Sequence, residues 1–138
     1  MNVWNYLLIY IVTLVFLIVV DLIWLSVIMK EFYKTQLRPI ANKLATMSQN
    51  VFSVLLTWML VSLGLIIFVM PLIPAGGKVE GLIYGGIFGF VVYGIYNLTN
   101  YSVIKKWPVH LVIIDTFWGI IVCAITGLFL AFAMGWFL

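Results

Sequence analysis

The sequence predicts an all-α polytopic membrane protein of four transmembrane helices, arranged as two repeated helical hairpins. Three observations carry this. Of 138 residues, 66% are apolar, 17% aromatic and only 8% charged. A soluble domain carries about 25% charged residues, so this chain lacks the polar groups to cover a surface in water. Apolar runs of about 20 residues, the length a helix needs to cross a hydrocarbon core of roughly 30 Å, recur along the whole chain. Finally, one cysteine, Cys123, and one histidine, His110, leave no material for an intrachain disulfide, a cysteine cluster or a multi-histidine metal site. No metal or cofactor is expected, and residues 1–138 read as a single integral membrane domain.

The spans fall at about 4–29, 51–71, 81–104 and 108–136. The first begins after Met1-Asn2-Val3-Trp4, which has neither a basic n-region nor a small-residue cleavage pattern, so it is expected to be retained. A polar connection at 30–50 comes next. Within it Tyr33, Leu37, Ile40 and Leu44 recur at helical spacing while Lys34, Arg38 and Lys43 are polar. The segment suits either a solvated loop or a helix lying among the headgroups, with Pro39 limiting any helix. Pro71 to Lys78 form a turn, and Gly81, Gly85 and Gly89 put small residues on one face of the third span, where they allow close helix packing. The link from Lys105 to Pro108 is so short that the last two spans must form an antiparallel hairpin. Trp4, Trp107 and Trp136 fall near span ends, as interfacial anchors do.

Basic residues set the orientation. Lys30, Lys34, Arg38, Lys43, Lys105 and Lys106 share one side and Lys78 lies on the other, so the positive-inside rule makes the richer side cytoplasmic. In a bacterial inner membrane both termini would then be periplasmic. The hairpin repeat rests on a gapless alignment of Asp21-Leu-Ile-Trp-Leu-Ser-Val-Ile-Met-Lys30 with Asn97-Leu-Thr-Asn-Tyr-Ser-Val-Ile-Lys-Lys106, and on a weaker echo between Val54-Leu-Leu-Thr57 and Val112-Ile-Ile-Asp115. Such a repeat would relate the halves by a pseudo-twofold axis along the membrane normal.

Two of the four acidic residues, Asp21 and Asp115, interrupt apolar spans. A carboxylate near a span centre costs on the order of 3 kcal/mol of insertion energy, so something must compensate. At 1.5 Å per residue, Asp21 lies roughly 12 Å and Asp115 roughly 10 Å from the basic ends of their helices, with Asn97, Asn100, Ser53 and Thr57 in the same slab. Trp24 follows Asp21 by three positions and Trp118 follows Asp115 by three, which places each indole on the face of its own acid. Tyr93, Tyr96 and Tyr101 add hydroxyls near Asn97. The expected product is a cytoplasm-facing polar pocket with aromatic walls, and its candidate ligand- or ion-binding residues are Asp21, Trp24, Thr57, Tyr93, Asn97, Asn100, Asp115 and Trp118. Asp, Asn and Thr in membrane bundles also serve as interhelical hydrogen-bond glue.

Asp21-Leu-Ile-Trp24-Leu25, Phe32-Tyr33-Lys-Thr-Gln-Leu37, Tyr93-Gly-Ile-Tyr96-Asn97-Leu98-Thr99-Asn100, Trp107-Pro108 and Asp115-Thr-Phe-Trp118-Gly119 together resemble domain-of-unknown-function family 2177 over nearly the whole chain. The resemblance implies a four-helix bacterial inner-membrane protein and brings no activity with it. The family pattern has an acid before Leu-Thr-Asn, where this chain has Asn97. Three functions compete: a carrier, channel or sensor for a proton, cation or small polar solute; an accessory subunit whose polar residues only fix packing; and a lipid-modifying enzyme, ranked last because no nucleophile, metal set or cofactor motif is evident. The expected partners are membrane lipids, with no nucleic acid; a homo-oligomer is left open, because no single face of the sequence identifies a contact between copies.

Overall fold

The computed structural model describes residues 2–40 and 47–138, and nearly all of these are helical. Helix α1 runs from Val3 to Ile23 and is capped by Asn2, whose side chain accepts from the Trp4 amide at 3.4 Å. It then widens into a π turn over Trp24–Ile28, closed by the Met29 amide donating to the Trp24 carbonyl at 2.8 Å. The extra residue of a π turn rotates the downstream chain about the helix axis. After Met29 the short helix α2, Lys30–Leu37, leaves the line of α1. It ends at Arg38, which keeps helical φ and ψ and donates to the Lys34 carbonyl at 3.1 Å, because Pro39 after it has no N–H to continue the helical bonds. The 30–50 connection therefore begins as a helix; Lys43 and Leu44 lie outside the described residues.

Helix α3 spans Met47–Gly64 and continues through a π turn, Leu65–Val69, into a single 3-10 turn, Met70–Leu72. Pro71 sits in that last turn, where its missing N–H breaks no α-helical bond. The chain reverses at Gly76, whose φ of +74° is the one positive value among the described residues. Helices α4, Lys78–Val103, and α5, Val109–Phe137, come next as the expected hairpin. Among the described residues, four helices are long and apolar enough to span a membrane: Val3–Ile28, Asn50–Leu72, Lys78–Val103 and Val109–Phe137. The third begins three residues earlier than hydropathy alone suggests, because Lys78 and Glu80 join its first turn.

Helix α5 is the hub. Half of its apolar window is buried, against 17 to 28% for the other three spans. On one side it meets α4 at backbone contact: a methyl on Gly81 would overlap the Gly127 carbonyl oxygen, one on Gly85 that of Cys123, and one on Gly89 that of Gly119. The glycine stripe thus does what its spacing predicts. On the other side α5 packs against α1, which turns Ile9, Thr13, Leu17 and Asp21 inward at intervals of four, with Phe16 stacked on Phe129 at 4.1 Å. Helix α3 packs on α1 and reaches α4 only near its far end, where Phe88 crowds Gly64 and the Leu65–Leu72 stretch touches α4. A pseudo-twofold would make the α1/α5 and α3/α4 seams alike, yet one is packed and the other open over half its length. The outward faces, including Val15, Ile67, Phe90 and Ile95, are exposed and apolar, as lipid contact requires.

Candidate functional site

Asp21 is the fourth inward position of α1, so the same periodicity that buries Ile9, Thr13 and Leu17 buries its carboxylate. Each oxygen accepts one indole N–H: Oδ2 from Trp58 of α3 at 2.7 Å and Oδ1 from Trp118 of α5 at 2.8 Å. Asp115, half-buried on α5, is held in the same manner by different groups. Its Oδ1 accepts from the Tyr33 hydroxyl of α2 at 2.7 Å, and its Oδ2 from the Asn97 amide of α4 at 2.6 Å. All four donors are neutral. They spread the carboxylate charge over dipoles and bring no counter-cation.

An aromatic bridge joins the two acids. Trp24 and Trp118 stack with centroids 4.2 Å apart and planes within 1° of parallel. Trp118 donates to Asp21, while Trp24 donates at 3.1 Å to the Tyr33 hydroxyl that in turn donates to Asp115. Each indole therefore serves the acid of the other helix, which corrects the expectation that each would lie on its own. The reason is reach: three residues along a helix share a face, but the N–H of an indole lies at the far edge of the ring and meets whatever the facing helix offers. The Tyr33 phenol is held well above its ordinary range, first by burial and next by the Asp115 carboxylate, so it stays protonated and donates.

Beside this bridge lies a cavity of about 290 Å³. Asp21, Asp115 and Trp118 form its floor, and Trp58, Tyr93 and Tyr96 are its aromatic walls. Val54, Thr57 and Val61 of α3 and Val92 of α4 form the rim on the open α3/α4 seam. A second space of about 70 Å³ lies under α2 between Tyr33, Leu37, Trp107 and Asp115, so Asp115 stands between the two.

Of the eight candidate residues, Asp21, Thr57, Tyr93, Asp115 and Trp118 line the larger cavity. Trp24 and Asn97 sit behind it, one stacked on Trp118 and the other bonded to Asp115 and to the Tyr93 carbonyl at 3.0 Å. Asn97 is fully buried and its Oδ1 has no hydrogen-bond partner among the described residues. Asn100, a further turn toward the basic end, lines neither cavity. Thr57 lines the rim but spends its hydroxyl on the Ser53 carbonyl of its own helix, at 2.9 Å. The Trp107 ring lies edge-on to Tyr96 at 5.9 Å, and its indole nitrogen is buried and without a hydrogen-bond partner among the described residues.

Sequence reasoning misses Trp58 and Tyr33 as donors. Trp58 could have been found as a tryptophan far from either end of its span, where no interface explains it. Tyr33 has no such signal, since its approach to Asp115 depends on the π turn that redirects α2.

A family model described as "Predicted membrane protein (DUF2177)" matches residues 6–132. No curated protein and no solved structure matches the chain.

Proposed function

The chain belongs to the DUF2177 family of predicted membrane proteins, and from that premise we propose that its intramembrane cavity binds a small cation, at the cytoplasmic side of a bacterial inner membrane with both termini periplasmic. The observation that carries this is the pairing of two carboxylates, Asp21 and Asp115, on one cavity whose other walls are aromatic. Two acids held only by neutral donors create a negative potential in a low-dielectric slab, and a cation entering the cavity is attracted to both. Indole and phenol faces add to that attraction for a weakly hydrated organic cation, by about 0.5 to 2 kcal/mol per ring. A metal ion, by contrast, needs six or so oxygen ligands, and the lining offers little beyond two carboxylates already engaged. The volume of about 290 Å³ holds on the order of ten waters, at about 30 Å³ each, which suits a small ammonium rather than a large solute.

The test is a titration of the purified protein in nanodiscs with tetramethylammonium chloride, read by tryptophan fluorescence, because Trp58 and Trp118 line the cavity. A saturable change is expected in the wild type, and roughly tenfold weaker binding in Asp115→Asn, whose helical content and gel-filtration profile should match the wild type. No saturable change, or equal affinity in that variant, removes the proposal. The second reading, a packing role, is favoured by the single donor that each carboxylate oxygen already has. It predicts a flat titration in every variant and a loss of stability in the Asp variants.

A further inference from the structure

Among the described residues, the cavity is bounded on three sides by packed helices and on the fourth by a gap. Helix α1 packs on α3 and α5, and α5 packs on α4, whereas Met47–Gly64 of α3 scarcely meets α4. The gap is written into facing residues. On α3, Val54, Thr57, Val61 and Gly64 succeed one another at three- and four-residue steps; on α4, Phe88, Val92 and Tyr96 follow at four-residue steps. Phe88 presses on Gly64 and closes the seam there. Toward the basic end, Val54 and Thr57 face Tyr96 across the cavity, and all three are exposed. Their depth is that of the acids, roughly 10 Å inside the helix ends, so they are exposed to the acyl region of a bilayer. The cavity is thus a polar floor reached through an apolar slot.

From this slot we infer that the ligand is a membrane-borne amphiphile with a single cationic alkylammonium head, which enters sideways between α3 and α4. The inference rests on the cation-binding reading above and specifies its ligand. The head lies over Asp21 and Asp115 between the Trp58, Tyr93 and Tyr96 rings, and the chain leaves past Val54, Thr57 and Val92 into the surrounding lipid. Charge complementarity selects the head, since the floor carries two carboxylates and the lining holds no basic side chain among the described residues. The slot selects the tail, since a cation arriving alone from the bilayer would have to shed its water, whereas a chain keeps its apolar surroundings throughout. Entry from the leaflet at the basic end needs a head to sink only about 10 Å from the helix ends, within the range over which long cationic groups adjust their depth.

The experiment uses the full chain in phosphatidylglycerol nanodiscs and two photoreactive probes with the same dodecyl chain and a mid-chain diazirine, one headed by trimethylammonium and the other by sulfate. Cross-links are mapped by peptide mass spectrometry. The cationic probe is expected to label residues 51–61 and 88–96 roughly tenfold more than the sulfate probe, and the excess should vanish with added tetramethylammonium and in Asp115→Asn. Val54→Trp, which narrows the slot and leaves both acids and all four of their donors in place, should lower the labelling about as far and keep the protein monodisperse. Equal labelling by the two probes, or labelling spread evenly over all lipid-facing helices, overturns the inference. If tetramethylammonium binds and the cationic probe leaves the seam unlabelled, the cation site stands and lateral entry falls. If neither binds, both fall.

Discussion

Helix α4 meets its two neighbours in opposite ways. Toward α5 it presents Gly81, Gly85 and Gly89, and the backbones touch so closely that the facing carbonyl oxygens of Gly127, Cys123 and Gly119 occupy the space a side chain would need. Toward α3 it presents Phe88, Val92 and Tyr96, and below the Phe88–Gly64 contact the helices part around a cavity. Two neighbouring stripes on one helix, one of glycines and one of bulky side chains, build a tightly packed seam and an open one. The contrast shows how a small membrane protein can combine rigidity with a binding space. Without a hydrophobic drive between helices in lipid, close van der Waals packing holds α4 on α5, and that fixed pair presents Tyr93 and Asp115 to a cavity with aromatic walls.

The sharpest way to break this comparison is to fill the tight seam. Gly85→Ala should destabilise the protein by about 2–3 kcal/mol, because its methyl meets backbone that cannot move without parting the helices; denaturant titration in detergent followed by circular dichroism measures it. A smaller loss is expected on the open side from Trp118→Phe. It strips Asp21 Oδ1 of its donor and keeps most of the ring stacked on Trp24, for a cost of about 1–3 kcal/mol in the same titration.

Tyr33→Phe removes the donor to Asp115 and the acceptor for Trp24, and should cost about 1 kcal/mol at neutral pH. The sign of its pH dependence comes from the raised phenol. Its stabilising effect is complete below the ordinary tyrosine value of about 10 and is lost as pH rises through the higher native value. The stability difference between wild type and Tyr33→Phe should therefore be constant up to about pH 10 and shrink above it; a difference that grows there would reverse the assignment of Tyr33 as donor. The smallest effect belongs to Gly94→Ala, on the same helix as Gly85, where an added methyl meets only Thr116 at 3.9 Å. Between no change and a gain of about 1 kcal/mol is expected, and a loss equal to that at Gly85 would show that the backbone crowding of the α4/α5 seam extends to this position as well.

Much of the molecule is legible in the chain itself. Runs of apolar residues mark the four spans, the four-residue glycine spacing marks the α4/α5 seam, and counting residues from the basic ends puts Asp21, Asn97 and Asp115 in one slab, where they are found joined through Trp24, Trp118 and Tyr33. The helical spacing of Tyr33 and Leu37 also points to the short helix α2. Less legible are the partners within that slab. The rule that residues three apart share a face places Trp24 with Asp21 and Trp118 with Asp115, and the indole edges cross to the other helix instead. Nothing in the spacing assigns Trp58 to Asp21.

The sequence by itself determined that this is a four-span helical membrane protein with one strongly basic side and two acids inside its apolar spans, because composition, run length and residue spacing act along a helix and can be counted. Only the tertiary structure decided which donors meet which acid, that α2 reaches back to Asp115, and that the α3/α4 seam is the one left open. Those depend on how each helix is rotated about its axis and how near its neighbours come, quantities set by π turns at Trp24–Ile28 and Leu65–Val69 and by the competition between glycine contacts and aromatic bulk. No periodicity along a single helix carries that information.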